Sequence, residues 1–234
     1  FKRRGYFFEY DSRKKPNFII IGAMKAATTS LYTYLKQHPD VFMTTIKEPM
    51  FFNNFQKKNN FKVAGRKTKK ITTFEQYYPL FDAVKKEKAI GEASPAYISN
   101  ENCPSLIKQH LPDIQIIAVL RQPVARAYSN FLHARMADRE PIADFETAFN
   151  KEAERKAENW SPLYHYKDKG YYAEQLERYF TLFPKENIKV LLFEDLVKNP
   201  IKTTQEVFKF LNIDKSFIPD TSKKVNVSGT PKGL

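Results

Sequence analysis

The stretch "NFIIIGAMKAATTSLYTYL", Asn17 to Leu35, decides how this chain folds. Phe18 to Ile21 is apolar on both faces and rich in β-branched residues, as a buried parallel strand is. Gly22 ends the run, and small residues follow with one lysine, Lys25, among them. Thr28, Thr29 and Ser30 favour a helix start, and Leu31, Tyr34 and Leu35 recur at helical spacing to about Gln37. A strand, a turn of small residues and a helix start are the usual architecture of a phosphate site. The helix end offers free N–H groups and a partial positive charge. Ala26 and Ala27 let an anion approach the backbone, and Lys25 with the hydroxyls adds charge and donors.

The spacing is not that of a nucleotide-triphosphate loop, G-x-x-x-x-G-K-[ST]. Counted from Gly22, Ala27 stands where the second glycine belongs and Thr28 where the lysine belongs. The lysine lies three residues nearer the strand. Read alone, the loop is either a βα turn with a solvated lysine or a site for a different anion.

Composition bounds the rest. The 234 residues suit one α/β domain or two small ones, and 42% hydrophobic residues suffice for a core. No run is apolar enough to cross a bilayer, and no signal-peptide pattern opens the chain. The chain begins at Phe1 rather than Met, so a fragment is expected. A cytoplasmic location is expected for a bacterial source, and a Golgi lumen one if a membrane anchor precedes residue 1. Cys103 is the single cysteine and the four histidines lack ligand spacing, so neither a disulfide nor a metal site is expected. The net charge of +13 favours a polyanionic partner.

The hydrophobic pattern alternates strands with helices. Strands are expected at 18–21, 41–44, 88–92, 114–120 and 188–196. Helices are expected at 73–84, 104–111, 123–136, 145–156, 171–183 and 203–211. The expected fold is a single α/β domain over 1–234, a mostly parallel sheet flanked by helices. An N-terminal extension covers 1–15 and a basic insert about 55–70. Ligands of such sheets bind at strand carboxyl ends, where Lys25, Glu92, Arg121 and Glu194 fall. In "VLRQPVARAYSNF", Val119 to Phe131, Arg121 follows a strand and Ser129 lies in the second turn of the next helix. That pair fits a second anion, since a guanidinium grips a phosphate with paired hydrogen bonds. A structural ion pair is the alternative for Arg121.

The two motifs in order, "KAATTS" and "RQPVARAYS", resemble the sulfotransferases that use 3′-phosphoadenosine 5′-phosphosulfate (PAPS). Their patterns are K-x-G-T-T for the 5′-phosphosulfate and R-x-P-x-x-R-x-x-S for the 3′-phosphate. The chain departs from the first at Ala27 and matches the second at Arg121, Pro123, Arg126 and Ser129. "HPDVFMTTIKEPMFF", "GEASPAYI", "GYYAEQLERYF" and "VLLFEDLVKNP" are similar to the branch of heparan sulfate sulfotransferases and their bacterial relatives. That resemblance implies a P-loop-kinase-like fold and no metal. It implies a PAPS site of Lys25, Ala26, Ala27, Thr28, Thr29, Ser30, Arg121 and Ser129. Phe193 would lie near adenine, and Ser228, Gly229 and Lys232 would form a late loop over the 3′-phosphate. Lys25 would stabilise the leaving group and Glu48, in "KEPMFF", would be the base. Lys47, Glu92 and His133 become candidates for the acceptor side, with His133 the alternative base. The acceptor would be an acidic glycan or a hydroxyl carried on an acidic carrier protein. Two rivals stand beside this reading: a P-loop nucleotide kinase or NTPase using "FED" at Phe193–Asp195 for its metal, and a nucleic-acid-binding protein suggested by charge alone.

Overall fold

The computed structural model describes residues 13–55, 61–62 and 70–222. Ser228, Gly229 and Lys232, the extension to residue 12 and most of the basic insert lie outside the described residues. Five strands, β1 (Phe18–Gly22), β2 (Val41–Met43), β3 (Ala89–Ala93), β4 (Gln115–Leu120) and β5 (Ile188–Leu192), form one sheet in the order β2-β3-β1-β4-β5. Every pairing is parallel. β1, the most apolar strand, takes the centre, where helices cover both faces. All five of its residues are buried. The chain runs from β1 to β2 and β3 on one side and then to β4 and β5 on the other. The carboxyl end of β1 therefore lies at the switch point where a crevice opens.

The helices are α1 (Thr28–Leu35), α2 (Phe51–Asn54), α3 (Phe74–Tyr77), α4 (Cys103–His110) and α5 (Pro123–Met136). They continue as α6 (Phe145–Asn150), α7 (Glu152–Ala157), α8 (Tyr172–Leu182), α9 (Phe193–Lys198) and α10 (Pro200–Phe210). α1 packs against α10, and α4 against α8. The Tyr179 hydroxyl of α8 donates to the Tyr97 carbonyl at 3.0 Å, tying that layer to the sheet's edge of loops. A smaller apolar cluster, Ala127, Phe131, Leu132, Ala148 and Tyr166, joins α5 to α6 and the loop after α7.

Four elements differ from the sequence expectation by more than two residues or by a break. The helix expected over 73–84 is a single α-turn followed by a 3-10 turn at Tyr78–Phe81. Pro79 lacks an N–H and its ring crowds the carbonyl four residues back, which stops the α-helix. The helix expected over 145–156 divides at Lys151 into α6 and α7. The strand expected over 188–196 ends at Leu192, because its partner β4 ends at Leu120, directly opposite. Beyond it α9 begins with Glu194 and Asp195 in its first turn, where carboxylates suit the helix dipole. α10 starts at Pro200 rather than Thr203, with the proline in the first turn, which needs no N–H. α2 was not expected at all; a four-residue helix carries no periodic signal.

Candidate functional site

Gly22 is held in place by a close approach. A Cβ there would sit 2.4 Å from Ile98 Cγ2, so the strand meets its loop only as glycine. The loop that follows is bent by two residues in the left-handed region, Lys25 (φ 66°) and Ala27 (φ 60°). Ala27 is the N-cap of α1 and has no side chain to satisfy the first turn. The N–H groups of Thr28, Thr29 and Ser30 belong to that first turn and have no partner within the helix. The loop therefore presents a concave backbone to an anion, with Ala26 buried beneath it.

The second motif meets the first directly. Arg121 follows β4, the neighbour of β1, and its Nη1 donates to the Lys25 carbonyl at 3.0 Å. Its guanidinium stacks on the Phe193 ring, 4.4 Å from the centroid. The Tyr172 hydroxyl donates to the Arg121 carbonyl at 2.9 Å, so α8 pins the same turn. Ser129 is buried in α5, one turn beyond the wholly buried Arg126, which donates to the Tyr166 carbonyl. Burial lowers the pKa of Arg121, and the adjacent Glu194 opposes that shift. Burial is also the largest cause holding Lys25 below the usual lysine range. The nearby Arg121 adds to it, Glu48 works against it and Lys47 adds again. An arriving phosphate would relieve this crowding of cations.

The "KEPMFF" segment closes the site from the other side. Lys47 Nζ donates to Thr29 Oγ1 at 2.5 Å and to Glu48 Oε1 at 3.1 Å. Thr29, Lys47 and Glu48 are thus one hydrogen-bonded chain from the first turn of α1 to the carboxylate. The Glu48 side chain keeps 35% of its surface, enough to receive a proton from an incoming group. Glu48 (φ 57°) and Met50 (φ 51°) are both left-handed, with Pro49 between them. A non-glycine residue in that region is strained, and such strain gathers at functional sites.

Lys25, Ala26, Ala27, Thr28, Thr29, Arg121, Lys47 and Glu48 are therefore gathered at one end of β1 and β4, with Phe193 against Arg121. Two expected residues lie elsewhere. Glu92 is wholly buried, and its carboxylate accepts from Tyr77, Tyr97 and Ser94, so it is not exposed to a substrate. His133 is exposed on α5, ten residues beyond Pro123, about 15 Å along the helix axis. Sequence reasoning missed Tyr172 and Tyr77. Tyr172 lies in a motif already quoted, "GYYAEQLERYF", whereas nothing in the sequence around Tyr77 points to Glu92.

An all-parallel sheet with an anion loop after its central strand and a basic residue after the adjacent one defines a P-loop-kinase-like nucleotide-binding fold. A sulfotransferase-domain family model matches residues 15–227, and the chain belongs to that family. It is 36% identical to a sulfotransferase from Alicyclobacillus acidocaldarius, with a TM-score of 0.84 over 91% of this chain and 87% of that one. It is 28% identical over 242 residues to the mouse (Mus musculus) heparan sulfate glucosamine 3-O-sulfotransferase 3B1, covering 98% of this chain and 57% of that protein. Mouse sulfotransferase SULT7A1, complexed with PAP, shares the fold at 14% identity and a TM-score of 0.56, over 86% of this chain and 60% of that one. The chain spans between 22% and 57% of the length of the first curated relatives it matches. No helix among the described residues is long and apolar enough to cross a membrane.

Proposed function

We propose that this chain binds PAPS and transfers its sulfuryl group to a hydroxyl or amine of an acidic acceptor. The observation that carries this reading is the bond from Arg121 Nη1 to the Lys25 carbonyl, which makes one site of two anion loops. A ligand with phosphate-type groups at two positions needs such a pair, and a mouse sulfotransferase of the same fold is complexed with PAP. The residues present fit that ligand: a left-handed loop at Lys25 and Ala27 and an uncapped helix start cradle one anion. Arg121, with Phe193 stacked on it, and Ser129 are the residues proposed for the other, and Ser30 is a further donor in the first turn.

PAPS supplies the activated sulfuryl group; the chain supplies position and charge. Lys25 stabilises the negative charge that builds on the bridging oxygen as the bond to sulfur breaks. Glu48 takes the acceptor's proton, and Lys47 holds Glu48 against Thr29 so that base and anion loop keep one geometry. The acceptor class follows from the charge of +13 and from relatives that include heparan sulfate sulfotransferases. An acidic glycan suits both, and an acidic carrier protein suits the charge.

Calorimetry with adenosine 3′,5′-bisphosphate against AMP tests the nucleotide site. Much tighter binding of the bisphosphate is expected, and equal affinity overturns the reading. Labelled PAPS offered with glycans, carrier-bound hydroxyacyl chains and phenols side by side then identifies the acceptor.

A further inference from the structure

Glu92 lies outside the catalytic contacts, yet it is a buried carboxylate inside the loop network that carries Glu48. Oε1 accepts from the Tyr97 hydroxyl at 2.8 Å and the Tyr77 hydroxyl at 3.2 Å, and Oε2 from the Ser94 hydroxyl at 2.7 Å. Each hydroxyl has one proton. Ser94 and Tyr97 direct theirs to Glu92, which leaves their lone pairs facing outward. Those lone pairs are used. The Met50 N–H donates to Ser94 Oγ at 2.9 Å, and the Phe52 N–H donates to the Tyr97 hydroxyl at 3.3 Å. The Glu48 N–H is fixed to the Ala93 carbonyl at 3.1 Å, on the residue next to Glu92.

We infer that Glu92 is a positioning residue for Glu48: its carboxylate sets the direction of the Ser94 and Tyr97 hydroxyls, which in turn hold the strained turn at residues 48–52 by its backbone N–H groups. The inference rests on the role proposed above for Glu48. It accounts for two left-handed residues, Glu48 and Met50, persisting around a proline, since a conformation of that kind is kept only when its surroundings over-determine it. It also makes the turn sensitive to one proton. A protonated Glu92 carries an O–H of its own, so the hydroxyl that faces that proton has to turn and accept from it. A turned Ser94 no longer gives its proton to Glu92, and the Met50 N–H loses the fixed orientation of its acceptor. The groups that face Glu92 are Tyr77 from α3, Ser94 and Tyr97 from the loop after β3, and Glu48. Burial above all, opposed by the three hydroxyls, brings its pKa up to about 7.

The test uses the full chain with Glu92→Gln, whose amide donates where the carboxylate accepts. Amide hydrogen exchange at Met50 and Phe52 should quicken by about tenfold or more. kcat should fall by about tenfold or more, since small misplacements of a reacting group cost that much. Affinity for adenosine 3′,5′-bisphosphate should stay within about twofold, the distinction being between turnover and binding. The wild-type kcat should decline on the acid side of about pH 7, and that limb should be missing from the variant. Should Glu92→Gln not fold, Ser94→Ala removes the Met50 acceptor and Tyr97→Phe the Phe52 acceptor, each together with one hydroxyl that donates to Glu92, and each should quicken exchange at its own amide. Unchanged exchange at these amides, or turnover and nucleotide affinity falling together, overturns the positioning role. A wild type with no sulfuryl transfer to any acceptor counts instead against the function proposed above, and the amide exchange still decides the role of Glu92.

Discussion

Ala27 shows what a single methyl group does in this site. The sulfotransferase pattern has glycine there, and the chain holds its alanine at φ 60°. A Cβ in the left-handed region costs about 1–2 kcal/mol. Ala27→Gly should therefore raise stability by roughly 1 kcal/mol, less the extra freedom glycine gains when unfolded. Urea denaturation checks this, and a destabilised variant would mean that the methyl group packs better than it strains. The proposed mechanism divides the chemistry between Lys25 and Glu48. Lys25→Ala should abolish turnover with the circular dichroism spectrum unchanged, because the side chain is only partly buried and packs no core. Glu48→Gln keeps the shape of the side chain but cannot accept a proton. Its loss should fall on the chemical step, about a hundredfold or more, with nucleotide affinity little changed. Binding and rate weakening together and mildly would reduce Glu48 to a partner of Lys47, and a large loss in His133→Ala alone would move the base to α5. The cluster of Lys25, Thr29 and Arg121 was legible because its chemistry is local to two strand–loop–helix units. The burial of Glu92 was not, since its three hydroxyl partners come from positions 77, 94 and 97 and only the fold brings the first to it.

At the scale of elements, periodicity placed β1, β4 and α5 well, because each is long or strongly patterned. It failed where short-range chemistry overrides the pattern: Pro79 stops α3, and the end of β4 turns Phe193 into the start of α9. The loop packed on α5 carries a feature no pattern could show. Lys169 is almost wholly buried in the turn at Asp168–Gly170, close to the buried Arg126. Burial first, then Arg126, brings its pKa down to about 7, while Glu152 and Asp168 pull the other way. The unfolded chain keeps that proton up to the ordinary lysine range, so between about pH 7 and 10 it binds more protons than the folded one. Stability from this group therefore rises with pH across that window. Below about pH 7 the folded state carries the cost of the buried charge in full. Lys169→Met should accordingly be more stable than the wild type near about pH 6, and the gain should shrink towards about pH 10. Urea midpoints measured across that range decide it. A difference that does not vary with pH, or a loss at low pH, would show that Glu152 and Asp168 already neutralise the lysine.

For the whole molecule, the sequence indicated a parallel sheet but not the strand order. Order is set by which crossovers pack, and the pattern within a single strand does not encode its neighbours. The order matters because it puts β1 between β3 and β4 and so brings the Glu48 turn, the Lys25 loop and Arg121 to one edge. The net charge of +13 acts on a longer range than any of these contacts. A field of that sign draws an acidic acceptor towards the protein and raises the rate of encounter without altering the chemical step. Salt screens the attraction: the Debye length falls from about 10 Å at 0.1 M to about 3 Å at 1 M ionic strength. With an acidic glycan or carrier protein as acceptor, kcat/KM should fall by roughly tenfold between about 0.05 and 0.5 M salt, while kcat at saturating acceptor changes little. A small neutral acceptor provides the control, because the PAPS-side interactions are common to both and any salt effect on them appears in both. The ratio of the two kcat/KM values therefore isolates the acceptor. A ratio that does not move with salt would mean that the positive charge serves something other than the acceptor, and an acidic acceptor would lose its main support.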